Sequence, residues 1–178
     1  MQPVRFSLRS GAVTTVRESF LRPSLGRPSA YGAAVIQATP STRTRRGPTY
    51  RLRLLGALLV RLPTAPAPRG GIVGARVQQL GPRRLGFSAR IRNTGPVHGY
   101  PENLRLRVLD SRNRPVFVAA PRPGVVLPGY KRDYPAQLFT RLRAGRYRLV
   151  ATARFGLRAS YAIMRFRLVA PNRLPGKR

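Results

Sequence analysis

Apolar and polar residues alternate along much of this chain, and the alternation has a period of two. Tyr50, Leu52 and Leu54 are separated by Arg51 and Arg53; Phe87, Ala89 and Ile91 by Ser88 and Arg90, with Arg92 following; Leu104, Leu106 and Val108 by Arg105 and Arg107. Tyr147, Leu149, Ala151, Ala153 and Phe155 form the longest such run, and Met164, Phe166 and Leu168 alternate with Arg165 and Arg167 in the last. Successive side chains of a β-strand point to opposite faces, so each run predicts a strand with one buried side. Further strands are expected at 31–38, 72–80, 116–119, 125–127 and 132–138, and in two short pieces within 1–20. Leu54 to Val60 is compatible with a short helix, but the flanking Tyr50 and Pro63 favour strand.

Turn sequences stand between the runs: Asn93-Thr94-Gly95-Pro96, Asp110-Ser111-Arg112-Asn113, Pro128-Gly129 and Ala144-Gly145. Gly95, Gly129 and Gly145 are expected to supply positive φ, and Asp110 to accept hydrogen bonds from turn amides. No stretch of about 12 residues carries the i, i+3, i+4, i+7 pattern of an amphipathic helix. Strands spaced by turn signals at roughly 8–12 residues predict an all-β sandwich. Pro and Gly cluster at 63–71, Pro-Thr-Ala-Pro-Ala-Pro-Arg-Gly-Gly, a semi-stiff connector. The expected organisation is therefore two tandem immunoglobulin-like β-sandwich units. Residues 1–62 form the first, incomplete one, 63–71 the linker, 72–170 the second unit and 171–178 a basic tail.

Charge changes the picture. The chain has 35 Lys and Arg against four acids, a formal net charge of +31, and only Lys131 and Lys177 are lysines. The acids are Glu18, Glu102, Asp110 and Asp133. Three explanations stand for such a surplus: a polyanionic partner, an acidic medium in which carboxylates are of little use, or a weakly selected reading frame, against which the regular strands argue. The alternation places much of the charge on the outward side of the strands, as Arg51 and Arg53, Arg90 and Arg92, Arg105 and Arg107, and Arg165 and Arg167. Arg43, Arg45 and Arg46 lie in a basic loop leading into the first of these. Together these eleven arginines are the candidate polyanion-binding residues. Tyr130, Lys131, Arg132 and Tyr134 form a second basic and aromatic set that could stack on bases or sugars.

The chemistry excluded is broad. There is no Cys, so no disulfide, thiolate ligand or Cys nucleophile, and the single His98 rules out His-rich metal clusters. His98 and Glu102 have no nucleophile or phosphate loop beside them, so no catalytic residue, metal site or cofactor is expected. The longest apolar run, Leu54 to Val60, is far short of the ~20 residues a spanning helix needs. The Met1-Gln-Pro-Val-Arg-Phe start lacks the layout of a signal peptide.

The order of turns in 85–155 resembles a bacterial envelope module. The residues that carry the resemblance are Ile91-Arg92-Asn93-Thr94-Gly95, Leu106-Arg107-Val108-Leu109-Asp110, Val126-Leu127-Pro128-Gly129 and Ala144-Gly145-Arg146-Tyr147, with Arg27-Pro28-Ser29-Ala30-Tyr31-Gly32-Ala33 upstream. The tandem looks like the domain pair of WxL-type surface proteins, a peptidoglycan-binding immunoglobulin-like domain followed by a second sandwich, and like the broader CARDB-like adhesion modules. The resemblance implies a non-enzymatic surface or adhesion module, extracellular or in the cell envelope, whose partner is an anionic cell-wall polymer or an envelope protein. The alternative is an intracellular β protein that grips nucleic acid through Arg–phosphate contacts.

Overall fold

The computed structural model describes residues 7, 9, 12–15, 28–38, 52–81, 83–139, 141–171 and 173–175. These residues contain strands and no helix: β1 (Ser29–Ala38), β2 (Leu52–Arg61), β3 (Gly70–Gly81), β4 (Arg84–Asn93), β5 (Pro101–Leu109), β6 (Pro115–Ala119), β7 (Lys131–Leu138), β8 (Gly145–Phe155) and β9 (Arg158–Leu168). The all-β expectation holds. Residues 12–15 lie in no strand, and most of the two pieces expected within 1–20 falls outside the described residues, as do Arg43, Arg45, Arg46 and Arg51. The stretch 54–60 is strand, paired in register with β1 from Ser29–Arg61 to Ala38–Leu52.

Seven strands make two antiparallel sheets, ordered β3-β4-β7 and β6-β5-β8-β9. Alternation drives their packing. Leu85, Phe87, Ala89 and Ile91 of β4 and Tyr134 and Leu138 of β7 face Leu104, Leu106 and Val108 of β5 and Tyr147, Leu149, Ala151, Ala153 and Phe155 of β8. Phe87 bridges the sheets, its ring 5.3 Å from that of Phe117 and 6.0 Å from that of Phe166. The hairpins β3–β4, β5–β6 and β8–β9 stay within a sheet, whereas β4–β5, β6–β7 and β7–β8 cross between sheets.

The crossovers need polar anchoring because their amides and carbonyls enter the core, where an unpaired group costs about 1–3 kcal/mol. Asn93 supplies it. Its side chain is fully buried, with Nδ2 donating to Val97 O and Val126 O at 2.8 Å each and Oδ1 accepting from Gly95 N at 2.9 Å. Its backbone N–H donates to Tyr130 O at 3.0 Å, and its carbonyl accepts from Gly129 N at 3.0 Å. One residue thus ties the β4–β5 crossover to the β6–β7 crossover. At the β7–β8 crossover Tyr147 does similar work, its hydroxyl donating to Arg143 O four residues upstream at 2.8 Å.

Several turns depart from expectation. The strand expected at 125–127 reduces to one bridge, Gly99–Val126, because Pro123 and Pro128 lack N–H groups on either side and Asn93 claims the Val126 carbonyl. Gly95 does not have positive φ. Its buried amide donates to Asn93 and to Arg69 O, and a Cβ there would stand 2.8 Å from Arg69 N. Close approach, not backbone freedom, requires that glycine. Gly129 does take positive φ, at 79°. Asp110 caps its turn as expected, Oδ1 accepting from Arg112 N and Arg114 N at 2.9 Å each.

The Pro/Gly segment 63–71 ends inside the sandwich. Gly70 and Gly71 pair with Asn93 and Arg92, and Arg69 O accepts from Thr94 N at 2.8 Å. The strands described within residues 1–62 are β1 and β2, which meet the sandwich through Ser29 Oγ to Pro96 O at 3.2 Å and His98 N to the Tyr31 hydroxyl at 3.0 Å.

Replacing Asn93 by Ala should lower unfolding free energy by about 2–4 kcal/mol, since it removes three buried hydrogen bonds at once. Tyr147→Phe should cost about 1 kcal/mol. Urea melts followed by far-UV circular dichroism check both, and an Asn93→Ala midpoint within error of the parent would show the amide to be dispensable.

Candidate anion-binding face

The register assigns most outward side chains of the four-stranded sheet to rows. Arg146 of β8 lies opposite Arg167 of β9, and Arg148 opposite Arg165. The next row runs Val118–Arg107–Val150–Ile163 across β6, β5, β8 and β9, and the one after it Arg105–Thr152–Tyr161. Glu102 and Arg154 close the far end, joined by an ion pair with Nε to Oε2 at 2.8 Å. Rows repeat about every 7 Å along the strands and neighbours lie about 5 Å apart across them. The four arginines at the near end therefore form a compact cationic block. Arg148 also donates to Asn113 Oδ1, which fixes its guanidinium over the β5–β6 turn.

Arg105, Arg107, Arg165 and Arg167 thus share one face, as the sequence pattern requires. The other predicted residues that are described, Arg53, Arg90 and Arg92, do not join them. Arg90 and Arg92 lie on the outer face of the three-stranded sheet, on the far side of the sandwich, and Arg53 lies on the β1–β2 hairpin opposite Gln37. Topology divides these arginines between surfaces: alternation says which side of a strand faces out, and the two sheets of a sandwich face out in opposite directions. Arg90 is moreover engaged. It lies directly across from Asp133 and holds it with two hydrogen bonds, Nε to Oδ1 at 2.8 Å and Nη2 to Oδ2 at 2.7 Å. Arg92 faces Lys131 in the same ladder.

Arg146, Arg148 and Arg154 join the face without having been picked out. Their signal was present as the polar half of the β8 alternation. Only the pairing of β8 between β5 and β9 shows that they belong with the others.

The second basic and aromatic set is dismantled. Tyr134 is a core residue whose hydroxyl donates to Gly124 O, and burial raises its pKa. Arg132 turns back over the Tyr134 ring at 5.8 Å and donates to Val125 O at 3.1 Å. Tyr130 remains exposed beside them.

His98 sits at the junction of hairpin and sandwich, its ring 5.7 Å from that of Tyr31 and 6.4 Å from that of Tyr100. Its Nδ1 is buried with no hydrogen-bond partner, and burial, aided by the nearby Arg61 charge, depresses its pKa. Among the described residues no three His, Asp or Glu side chains come together as metal ligands, and no helix is long and apolar enough to cross a membrane. A shallow concavity is lined by Gln79, Leu80, Ala170, Pro171 and Arg173.

No family model matches the chain, and no curated protein does.

Two pH windows follow from the depressed groups. The Arg90 hydrogen bonds, and more weakly the charges of Arg90 and Arg76, hold Asp133 below the usual carboxylate range, against an opposing effect of burial. Its contribution is complete above the unfolded value of about 3.9 and lost as pH falls through the lower folded value. Neutral His98 stabilises the fold above about 6.5, and that contribution is lost as the pH falls from there toward its lower folded pKa. Urea midpoints from pH 8 to pH 2 should show two shallow declines. His98→Gln should remove the upper one and Asp133→Asn the lower; persistence of both in the variants would refute the assignment.

Proposed function

We propose that this chain is a non-catalytic binding module of the cell envelope, immunoglobulin-like in topology, that holds an anionic polymer on the outer face of its four-stranded sheet. The observation that carries the reading is the paired block Arg146–Arg167 and Arg148–Arg165. Like charges directly opposite in a ladder disfavour the fold by a few tenths to ~1 kcal/mol per pair. Two such pairs side by side are stabilised when an anion spans them. The ion pairs among the described residues, Arg90–Asp133 and Arg154–Glu102, lie outside this block. Guanidinium groups suit the task because they stay charged at any physiological pH and present a planar fork to phosphate or carboxylate.

Two features support the topological part. The first, second and fifth sandwich strands form one sheet and the third, fourth, sixth and seventh the other; relative to a constant-type immunoglobulin domain only the fourth strand has changed sheets. The Tyr147 hydroxyl bonding back to Arg143 at the entry to the sixth strand matches the tyrosine corner of such sandwiches. The envelope setting rests on the resemblance of the turn sequences to surface modules. The flat, open face favours a long, repetitive anion over a small substrate, which would be held in a cleft.

A soluble polyphosphate should bind with affinity that falls steeply as salt rises, through counter-ion release. Arg165→Thr with Arg167→Thr should reduce the slope of log K against log salt by about 1.5–2 while leaving the urea midpoint equal or higher. Unchanged binding in that double variant would sink the assignment of the face. Duplex DNA serves as comparator: tighter binding to DNA than to polyphosphate at every salt concentration would move the reading to nucleic acid.

A further inference from the structure

We propose that this same face docks on the surface of an anionic lipid bilayer, with Tyr161, Ile163 and Val118 entering the head-group layer. The proposal rests on the reading of the face as anion-binding and adds a second anionic partner to the polymer. The rows of the sheet motivate it. Next to the arginine block, the central row Val118–Arg107–Val150–Ile163 is mostly apolar, and Tyr161 follows in the row beyond. Val118 is 53%, Ile163 51% and Tyr161 71% exposed.

The outward face of a solvated sheet is ordinarily polar, with the apolar residues on its packed side. Here a band of exposed apolar side chains runs between arginines at both ends, Arg148 and Arg165 on one side and Arg105 on the other. A wholly hydrophilic polymer lying across this face would satisfy the arginines and leave the band wet. A bilayer surface offers both partners in one plane: phosphate groups for the guanidinium forks and the hydrocarbon boundary for the band. The chemistry is that of an interfacial amphipathic helix carried on a sheet, where apolar contact and attraction to anionic lipid add. Charge complementarity is strong, since the chain carries +31. Tyr161 suits the interface: its hydroxyl makes no hydrogen bond among the described residues, and an aromatic ring with a polar tip settles where one end is dry and the other wet. Arg107, inside the band, can lie along it and reach upward with its charged end.

The test uses the full chain and vesicles of phosphatidylcholine, alone or mixed with phosphatidylglycerol, with soluble polyphosphate as a second probe. Co-sedimentation is expected with the phosphatidylglycerol vesicles and not with phosphatidylcholine alone. Tyr161→Ser with Ile163→Thr should lower vesicle affinity by about 10–100-fold and leave polyphosphate affinity within about twofold, since the arginines remain. The chain has no Trp, so Tyr161→Trp installs a sole indole that reports directly. Its emission should be quenched by brominated phosphatidylglycerol, an arm that stands even if the double variant does not fold. Binding of polyphosphate without vesicles, vesicle affinity unchanged in the double variant, or an unquenched indole overturns the bilayer assignment and leaves anion binding intact. Failure to bind either probe overturns both.

Discussion

The side-chain amide of Asn93 is the constraint around which the sandwich is arranged. A two-sheet fold must carry its chain from one sheet to the other, and at each passage backbone groups lose water before they gain a ladder partner. Asn93 resolves two passages at once, because a primary amide offers two donors and an acceptor and all are used within 3 Å. Asp in its place would bring a buried charge without donors, Ser too short a reach, and Leu no partner at all. The positions of Val97 and Val126, and through them the approach of β5 and β7 to β4, follow from it. The outward rows that gather the arginines depend on the same registration, since a slip of one residue in a strand would turn its arginines inward.

Alternation made the strands readable, and it did so because most have one wet and one dry face. It also identified Arg105, Arg107, Arg165 and Arg167 as outward. What alternation cannot carry is partnership. Nothing local distinguishes the outward side of β4 from that of β5, so Arg90 and Arg105 looked equivalent, although one faces Asp133 across a ladder and the other shares the opposite side of the sandwich with Tyr161. Gly95 was misjudged for a similar reason. A glycine in a turn sequence suggests positive φ, but the demand here comes from Arg69, which reaches it only in the tertiary fold. Asp110 and Tyr147 were readable because their partners are a few residues away.

The face opposes two preferences. The like-charged pairs of β8 and β9 weaken the sheet on which they sit, and exposed Ile163 and Tyr161 weaken solubility. Buried Leu149, Ala151 and Phe155 on the reverse of the same strand supply the compensating stability. β8 is both an inner strand of its sheet and the carrier of Arg146 and Arg148, so half of the charge block sits on a strand whose reverse side is buried in the core. Surface charge of one sign concentrated over a strong core allows a functional surface to vary without endangering the fold.

The segment that enters the sandwich before β3 has a consequence for how the chain is made. A Cβ on Gly156 would stand 2.0 Å from the Pro68 carbonyl, so the turn between β8 and β9 and the entry segment share one space. Nearby, Ile72 N–H donates to Ser160 Oγ across a separation of 88 residues. Contacts so distant in sequence form late, because closing the intervening loop must precede any gain from them. On a ribosome, β3 is synthesised long before the turn that receives it. Until β8 and β9 emerge, its lower end has only the β4 ladder beside it, and the contacts to Gly156 and Ser160 are missing. The first sandwich strand therefore acquires its neighbours in two stages, β4 directly after it and the β8–β9 turn only when synthesis of the sandwich is nearly complete.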